Sequence, residues 1–320
     1  MNKLTISTAI ATYNGAEFLP RQLDSILEQS RRVDEIVVCD DNSTDGTLKI
    51  LQSYQQKFPE LFKIFRNEKN LGCSGNFEKA LSLCSGDIIF IADQDDVWRK
   101  DKVEKMVQPF ENRQILGVYS DSLITDNKLN SQNCTHLQLR GFVPEKLPNL
   151  PQLQQFARRV PPAAHDMAIR QTTLKFLIPF PKLKNVHDSF IGLSIAALDG
   201  WAVIPETLTL FRQHEKNLSK SGQISTLAGQ LRAAKRSAAE DTFNWNAKLY
   251  SFTLRRLDNK LDDDAEAILK ERQHHSHIRS QIGKVNFLNR LLLIAGEIVS
   301  GRYFRFARGV KSIIQDMFLR

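Results

Sequence analysis

The sequence predicts an α/β fold: a mostly parallel sheet flanked by helices, followed by a helical C-terminal appendage. Three observations predict it. Strand-type and helix-type patterns alternate through the first hundred residues. Two strand candidates, Ile36-Val37-Val38-Cys39 and Ile88-Ile89-Phe90-Ile91-Ala92, are short and wholly apolar, the mark of strands buried on both faces. Beyond about Gly222 no proline occurs, and Lys, Arg, Leu and Ala recur at helical spacing. Four strands separated by helices require crossover connections and therefore parallel pairing. The 320 residues suffice for one large domain, assigned to residues 1–222, and a smaller helical region, 223–320.

The elements follow in order. Leu4, Ile6 and Ile10 alternate with small or polar residues, as in a strand, and Leu19, Leu23, Ile26 and Leu27 then take helical spacing. After the second strand, Leu48, Leu51 and Phe58 suggest a helix, Phe62 to Phe65 a third strand, and Phe77, Ala80, Leu81 and Cys84 a third helix. Val103, Met106, Val107 and Phe110 fit another helix, and Leu116 to Ser120 a strand ending at Asp121. Residues 127–162 are polar and punctuated by proline, which predicts loops and a mobile lid. His187 to Leu198 reads as helix, and Thr207 to Arg212 as an extended segment leading into Gln213-His214.

Composition narrows the classes. Apolar and charged fractions are ordinary for a globular chain, and the net charge is +8. That charge leaves nucleic acid, anionic membrane surfaces and polyphosphate ligands open as partners. Cys39, Cys73, Cys84 and Cys134 show no CxxC spacing, so they read as reduced thiols of a cytoplasmic protein. Met-Asn-Lys runs straight into a strand pattern, which predicts no signal peptide. The most apolar stretch, Leu291 to Ala295, is broken by Glu297, so no membrane span is predicted.

In an open parallel sheet, ligands bind outside the carboxyl ends of the strands. Three polar clusters fall at those ends: Thr12-Tyr13-Asn14, Asp40-Asp41-Asn42-Ser43, and Asp93-Gln94-Asp95-Asp96. Three carboxylates in four residues repel one another unless a cation offsets them. Hard oxygens suit Mg²⁺ or Mn²⁺ with substrate phosphates; the alternative is a helix N-cap with spare acids in its first turn. Asp40 and Asp41 can accept hydrogen bonds from a ribose or a pyrimidine N–H edge, while Ser43 or Thr44 starts a helix as its N-cap. The run Asn70 to Asn76 is a glycine-containing turn that can aim backbone N–H groups at phosphate.

The runs Thr12-Tyr13-Asn14-Gly15, DDNSTDGT (40–47), NLGCSGNF (70–77) and DQDDVW (93–98), in this order and spacing, resemble the N-terminal half of family 2 glycosyltransferases with the GT-A fold. The chain is most similar to rhamnosyltransferase-like members, which share DQDDVW, a later His-Asp pair (His187-Asp188) and RQHxxN (Arg212-Gln213-His214 with Asn217). The resemblance covers about residues 3–220. It implies a GT-A-like, Rossmann-type sheet whose nucleoside pocket is lined by Thr12, Tyr13 and Asp41, with Asp40 nearby. Asn14 and Asn76 join the nucleotide-sugar-binding set through their motifs. It further implies that Asp93 and Asp95 are the DxD carboxylates, Asp95 nearest a Mg²⁺ or Mn²⁺ ion, and that Asp188 is the catalytic base. The family's QxxRW box is absent. Arg212 and Gln213 take its place toward the donor, with His214 toward the metal.

These parts imply an inverting transfer of a hexose or deoxyhexose, rhamnose among them, from a nucleotide-diphosphate sugar to a hydroxyl of a surface glycan or lipid-linked precursor. Two rivals stand beside it. A nucleotidyltransferase also holds Mg²⁺ on carboxylates, but it normally opens with a glycine-rich and basic phosphate loop, which Thr12 to Gly15 is not. A noncatalytic basic binding protein is motivated by the charge; the acidic rim would repel nucleic acid, so no nucleic-acid partner is expected.

Outside the motifs, His274-His275-Ser276-His277 reads as a solvated helix face. Trp201 and Trp245 read as packing residues, and Trp98 either as core or as a floor under the donor. The last forty residues carry seven basic and two acidic side chains. Leu291 to Ile298, followed by Arg302, Arg305 and Arg308, suits docking on an anionic membrane surface at the inner face of the plasma membrane. The alternative is a helical hairpin packed on the catalytic domain or on a second subunit.

Overall fold

Both wholly apolar runs form central strands, with Ile36 to Cys39 and Ile88 to Ala92 each fully buried. The computed structural model describes residues 3–140, 151–158, 162–215, 217 and 242–318. The chain forms two units: residues 1–148, 161–195 and 200–217 make one, and residues 149–160, 196–199 and 218–320 the other.

The first unit opens with β1 (Ile6–Thr12), α1 (Leu19–Leu27), β2 (Glu35–Asp40), α2 (Thr47–Lys57), β3 (Phe62–Arg66), α3 (Gly72–Leu83) and β4 (Ile88–Ala92). β3, β2, β1 and β4 lie side by side, all parallel, as the alternation predicted. Leu19, Leu23 and Ile26 on one face of α1 join Ile6, Ile10, Ile36 and Val38 in the core, the helical stripe the spacing required.

Beyond β4 the sheet changes character. It continues through β8 (Met167–Arg170), β6 (Gly117–Thr125), β9 (Trp201–Arg212) and β5 (Val97–Trp98), with β7 (Ser131–Thr135) beside β6. β6 and β9 are parallel, but β8 runs antiparallel to both β4 and β6, and β5 antiparallel to β9. The short strands β5 and β8 carried no period long enough to declare them. β9 begins at Trp201, earlier than the predicted Thr207, because the pairing with β6 shifts register between Tyr119 and Asp121 and so tolerates Pro205.

The described part of residues 127–162 is more regular than predicted. β7 is an exposed edge strand, so its Ser-Gln-Asn-Cys-Thr sequence shows no apolar alternation. The short helices α5 (His136–Arg140) and α6 (Gln152–Arg158) follow; residues 141–150 and 159–161, where the predicted lid partly falls, lie outside the described residues. α4 (Lys102–Val107), α7 (Leu174–Leu177) and α8 (His187–Ala196) are further helices. Trp98 packs in the core against Phe90 at 5.6 Å between ring centroids, not under an open cleft.

Glu35 staples the amino ends of the strands. Its buried carboxylate accepts from Ser7 Oγ (2.5 Å), Ser85 N (2.5 Å) and Lys63 Nζ (2.6 Å). Burial opposes its charge, but these donors overcome that and bring its carboxyl down to about 2. A folded pKa below the unfolded one adds stability above the unfolded value, lost as pH falls through the folded one. Glu35→Gln is therefore expected to destabilise the protein by about 2–3 kcal/mol at pH 7, and by progressively less below about pH 4.5, in urea unfolding.

The second unit includes α6 and five C-terminal helices: α9 (Thr242–Leu257), α10 (Asp263–Ile282), α11 (Phe287–Val299), α12 (Arg302–Phe306) and α13 (Val310–Phe318). Asp262 and Asn286 cap α10 and α11 by accepting from Ala265 N and Asn289 N. Gly301, at φ +71°, makes the left-handed turn between α11 and α12. Ile282, Ile294, Tyr303 and Ala307 form the core. Of the solvated face predicted for His274 to His277, His274 and His277 are exposed, and the other two positions are corrected here. His275 and Ser276 are fully buried, and His275 Nδ1 lies 2.6 Å from the buried Glu297, because α10 is packed on more than one side.

Candidate active site

The tips of β1 and β2 are tied together before any ligand arrives. Asp40 accepts from Thr12 Oγ1 (3.0 Å) and from both the backbone and hydroxyl of Ser43 (3.0 and 2.5 Å). Ser43 therefore serves Asp40 and does not cap α2 as predicted; Asp45 accepts from Thr47 N at the start of that helix. Asp41 accepts from Leu71 N (2.7 Å), Gly72 N (2.9 Å) and Asn67 (2.8 Å). Its carboxylate thus holds the N-terminus of α3, where negative charge is favoured. The predicted turn at Asn70 to Asn76 is mostly the first turn of that helix. Asn76 is buried below the rim, donating to Cys39 O (2.8 Å) and Thr12 O (3.3 Å).

Thr12, Asp40, Asp41 and Asn76 therefore shape the rim from beneath, and Tyr13 is the member of this set that faces solvent, half exposed. Gln94 clamps its backbone from both sides, accepting from Tyr13 N (2.9 Å) and donating to Tyr13 O (3.1 Å). Gly15 makes room for that clamp: a Cβ there would come within 2.1 Å of the Gln94 carboxamide. Asn14 takes a positive φ of 48° and bonds Thr44 N through its side chain, joining the two loops.

The acid motif sits between two antiparallel neighbours. Continuing the β4–β8 pairing past Phe90 and Ala168 puts His165 opposite Asp93. Continuing the β5–β9 pairing past Val97 and Leu210 puts Arg212 opposite Asp95. The side chains agree. His165 Nδ1 lies 3.2 Å from Asp93, and His214 Nε2 lies 2.9 Å from Asp95. Each DxD carboxylate thus has a histidine partner.

Asp96 is not the helix cap that the sequence left open. It is fully buried, and Oδ1 accepts from Arg212 N (3.0 Å), while Oδ2, 3.6 Å from His165 Nδ1, has no hydrogen-bond partner among the described residues. Burial, with Asp95 and Asp93 nearby, pushes its carboxyl well up. Arg212 does not present an open fork toward a phosphate. It donates to Asp95 O (2.8 Å) and Asn127 O (2.5 Å) and lies 4.7 Å over the Phe18 ring. Gln213 N bonds Thr125 O, and Asn217 fixes the loop by accepting from His214 N and donating to Arg212 O.

Beneath the rim lies a network that the sequence reading missed. His165 is buried among Asp166 (3.3 Å), Ser122 (3.4 Å), Asp93 and Asp96, and its ring lies near parallel to those of His136 and Phe211, each of the three pairs 4.9–5.4 Å apart between centroids. Burial alone would depress its pKa, but Asp166 and Asp96 raise it well above the usual range. Lys102, fully buried, donates to His165 O and Thr209 Oγ1, both at 2.7 Å, and burial brings its ammonium down to about 8. The signal was available. His165-Asp166 is a second His-Asp pair, standing just before the apolar Met167-Ala168-Ile169.

Two donor groups could receive a cation. Asp93, Asp96 and His165 offer atoms within 4.8 Å of one another, as do His136, His165 and Asp166. The second group is wholly buried. The first group opens to solvent at Asp93, and its orphaned Asp96 oxygen and carboxylate-rich character fit Mg²⁺ or Mn²⁺.

Asp188 lies at the N-terminus of α8, partly exposed, with His187 Nε2 2.9 Å from its Oδ1. His187 stacks on Phe77 and bonds Ser74 Oγ through Nδ1 at 3.1 Å. α8 is thereby pinned to the helix that Asp41 caps. Burial would raise the Asp188 carboxyl, but His187, Arg140 and His165 hold it below the usual carboxylate range.

A Rossmann-like parallel half-sheet, extended by mixed strands and carrying an acid–histidine rim at its strand tips, defines a GT-A-type transferase. The Glycosyl transferase family 2 pattern matches residues 7–173, more than half of the chain. The protein belongs to that family and is a glycosyltransferase. It is 28% identical over 227 residues to an uncharacterized glycosyltransferase of Nostoc sp., covering 70% of this chain and 69% of the relative. It is 28% identical over 226 residues to the dTDP-rhamnosyl transferase RfbG of Shigella flexneri, covering 65% and 72%. Among solved structures, S. aureus TarS 1-349 in complex with UDP-GlcNAc superposes with a TM-score of 0.57 at 19% identity, over 99% of this chain and 93% of that one. The mannosyltransferase PcManGT of Pyrobaculum calidifontis, in complex with GDP-Man and Mn²⁺, gives 0.52 at 19% identity, over 99% and 86%.

Proposed function

We propose that this glycosyltransferase moves a hexose or deoxyhexose from a nucleotide-diphosphate sugar to a hydroxyl of a surface glycan or its lipid-linked precursor, with inversion. The observation that carries this is the pairing of Asp93 with His165 and of Asp95 with His214 on one rim. The two histidines thereby fix the orientation of both carboxylates. The relative named a dTDP-rhamnosyl transferase supports rhamnose as one donor sugar. Asp93, where the group of Asp93, Asp96 and His165 opens to solvent, would hold a Mg²⁺ or Mn²⁺ ion together with Asp95 and His214 across the rim, and the ion would offset charge on the departing diphosphate.

The remaining work falls to the chain. The half-exposed Tyr13 ring offers a stacking face for the base. Thr12, Asp40, Asp41 and Asn76 hold the rim on which nucleoside and diphosphate would rest. Asn14 joins the rim loops, and Arg212 and Gln213 fix the segment that carries His214. Asp188, ionised at neutral pH, takes the proton from the acceptor hydroxyl as its oxygen attacks the anomeric carbon. A thermal-shift panel of nucleotide sugars with and without Mn²⁺ tests the reading. One nucleotide class is expected to raise the unfolding temperature in the presence of Mn²⁺. Equal, metal-independent responses across the panel would overturn it.

A further inference from the structure

We propose that α11 to α13 form a docking surface for an anionic phospholipid bilayer. α11 is apolar on two opposite sides. Ile294 faces inward and packs with Ile282, Tyr303 and Ala307. Leu288, Leu292 and Val299 face solvent at 68%, 64% and 89% exposure. Their spacing, with the exposed Ala295 between, makes one helical stripe. α13 repeats the pattern with Val310, Ile314 and Phe318, all more than half exposed. Apolar side chains scattered singly over a surface need no explanation, but two such stripes on helices that pack against each other do.

Charge decides what covers them. Residues 283–318 contain two acids, and both are buried and engaged. Glu297 meets His275 (2.6 Å) and Arg302 (2.7 Å). Asp316 accepts from Arg279 (2.6 and 2.9 Å) and Tyr303 (2.8 Å). Lys284, Arg308 and Lys311 are exposed, so among the described residues of this segment the surface presents cations and apolar groups with no exposed carboxylate. A second copy pairing through the same face would set these cations against one another. An anionic headgroup layer over acyl chains matches both features. α11 has 13 residues and rises about 20 Å, short of a hydrocarbon core about 30 Å thick. No helix among the described residues is long and apolar enough to cross a membrane, so these helices would lie along the surface.

Flotation of the full chain with vesicles of phosphatidylcholine alone, or of phosphatidylcholine with phosphatidylglycerol, tests the proposal. Binding is expected to the anionic vesicles only and to weaken as salt rises. Leu288→Ser with Leu292→Ser, and separately Arg308→Glu with Lys311→Glu, are each expected to weaken it by about tenfold or more. All four side chains are exposed, so unchanged unfolding temperatures would show that the loss is not unfolding. Absence of binding to anionic vesicles, no preference over neutral ones, or wild-type binding by both double variants would overturn the proposal. So would a dimer mass in light scattering that Leu288→Ser with Leu292→Ser dissolves, since a second copy would then be the occupant.

Discussion

Asp188→Asn is expected to lower turnover by about 10²- to 10⁴-fold while leaving donor affinity within about twofold of wild type. Asparagine keeps the shape of the side chain but cannot accept a proton at neutral pH. The surroundings of Asp188 are built to keep it ionised, with His187 at 2.9 Å and Arg140 and His165 within electrostatic reach. Its folded pKa is lowered, so the basic form persists as pH falls through the ordinary carboxylate range, and the acid limb of kcat/KM assigned to Asp188 should lie below that range. Steady-state kinetics with calorimetry of donor binding separates the two effects. Near-wild-type turnover in the variant would remove Asp188 from the base role.

Asp95→Ala should act on the other side of the reaction. We expect loss of the Mn²⁺ dependence of donor binding, and a fall in donor affinity of at least about tenfold in the presence of Mn²⁺. Asp95 Oδ2 sits 2.9 Å from His214 Nε2, and the Asp95 backbone oxygen holds the Arg212 guanidinium, so alanine removes the carboxylate while keeping the main-chain anchor of Arg212. Asp95→Asn provides a gentler comparison, because it keeps side-chain volume and removes only charge. Calorimetric titration with and without Mn²⁺ reads the result directly. Donor affinity that ignores both the metal and the substitution would sink the metal assignment.

The two substitutions probe different parts of the fold, and their legibility in the sequence differed accordingly. The rim of β1, β2 and β4 was readable because parallel strands announce themselves locally: each apolar run ends in a polar cluster, and every crossover returns the next tip to the same edge. The roles of the rim residues were less readable. Asp40 and Asp41 offer the same chemistry in the sequence. In the fold, Asp40 closes its own turn on Ser43 and Asp41 holds the start of α3. Which groups a carboxylate meets depends on the approach of segments up to 31 residues away.

The sequence by itself determined the alternating first half, the helical C-terminal region, the acidic strand tip and the order of its motifs. Local hydrophobic period and turn chemistry are enough for those. Only the tertiary structure decided that His165 would face Asp93, that Arg212 to His214 would run beside Asp93 to Asp95, and that Asp96 would turn inward. These juxtapositions arise where β8 and β5 enter antiparallel, and antiparallel register between strands some seventy or more residues apart leaves no periodic trace in either one. The last three helices show the same division. Their basic and apolar composition could be read directly, but the burial of both their acids, Glu297 and Asp316, needed the folded chain, because each is paired with an arginine on another helix.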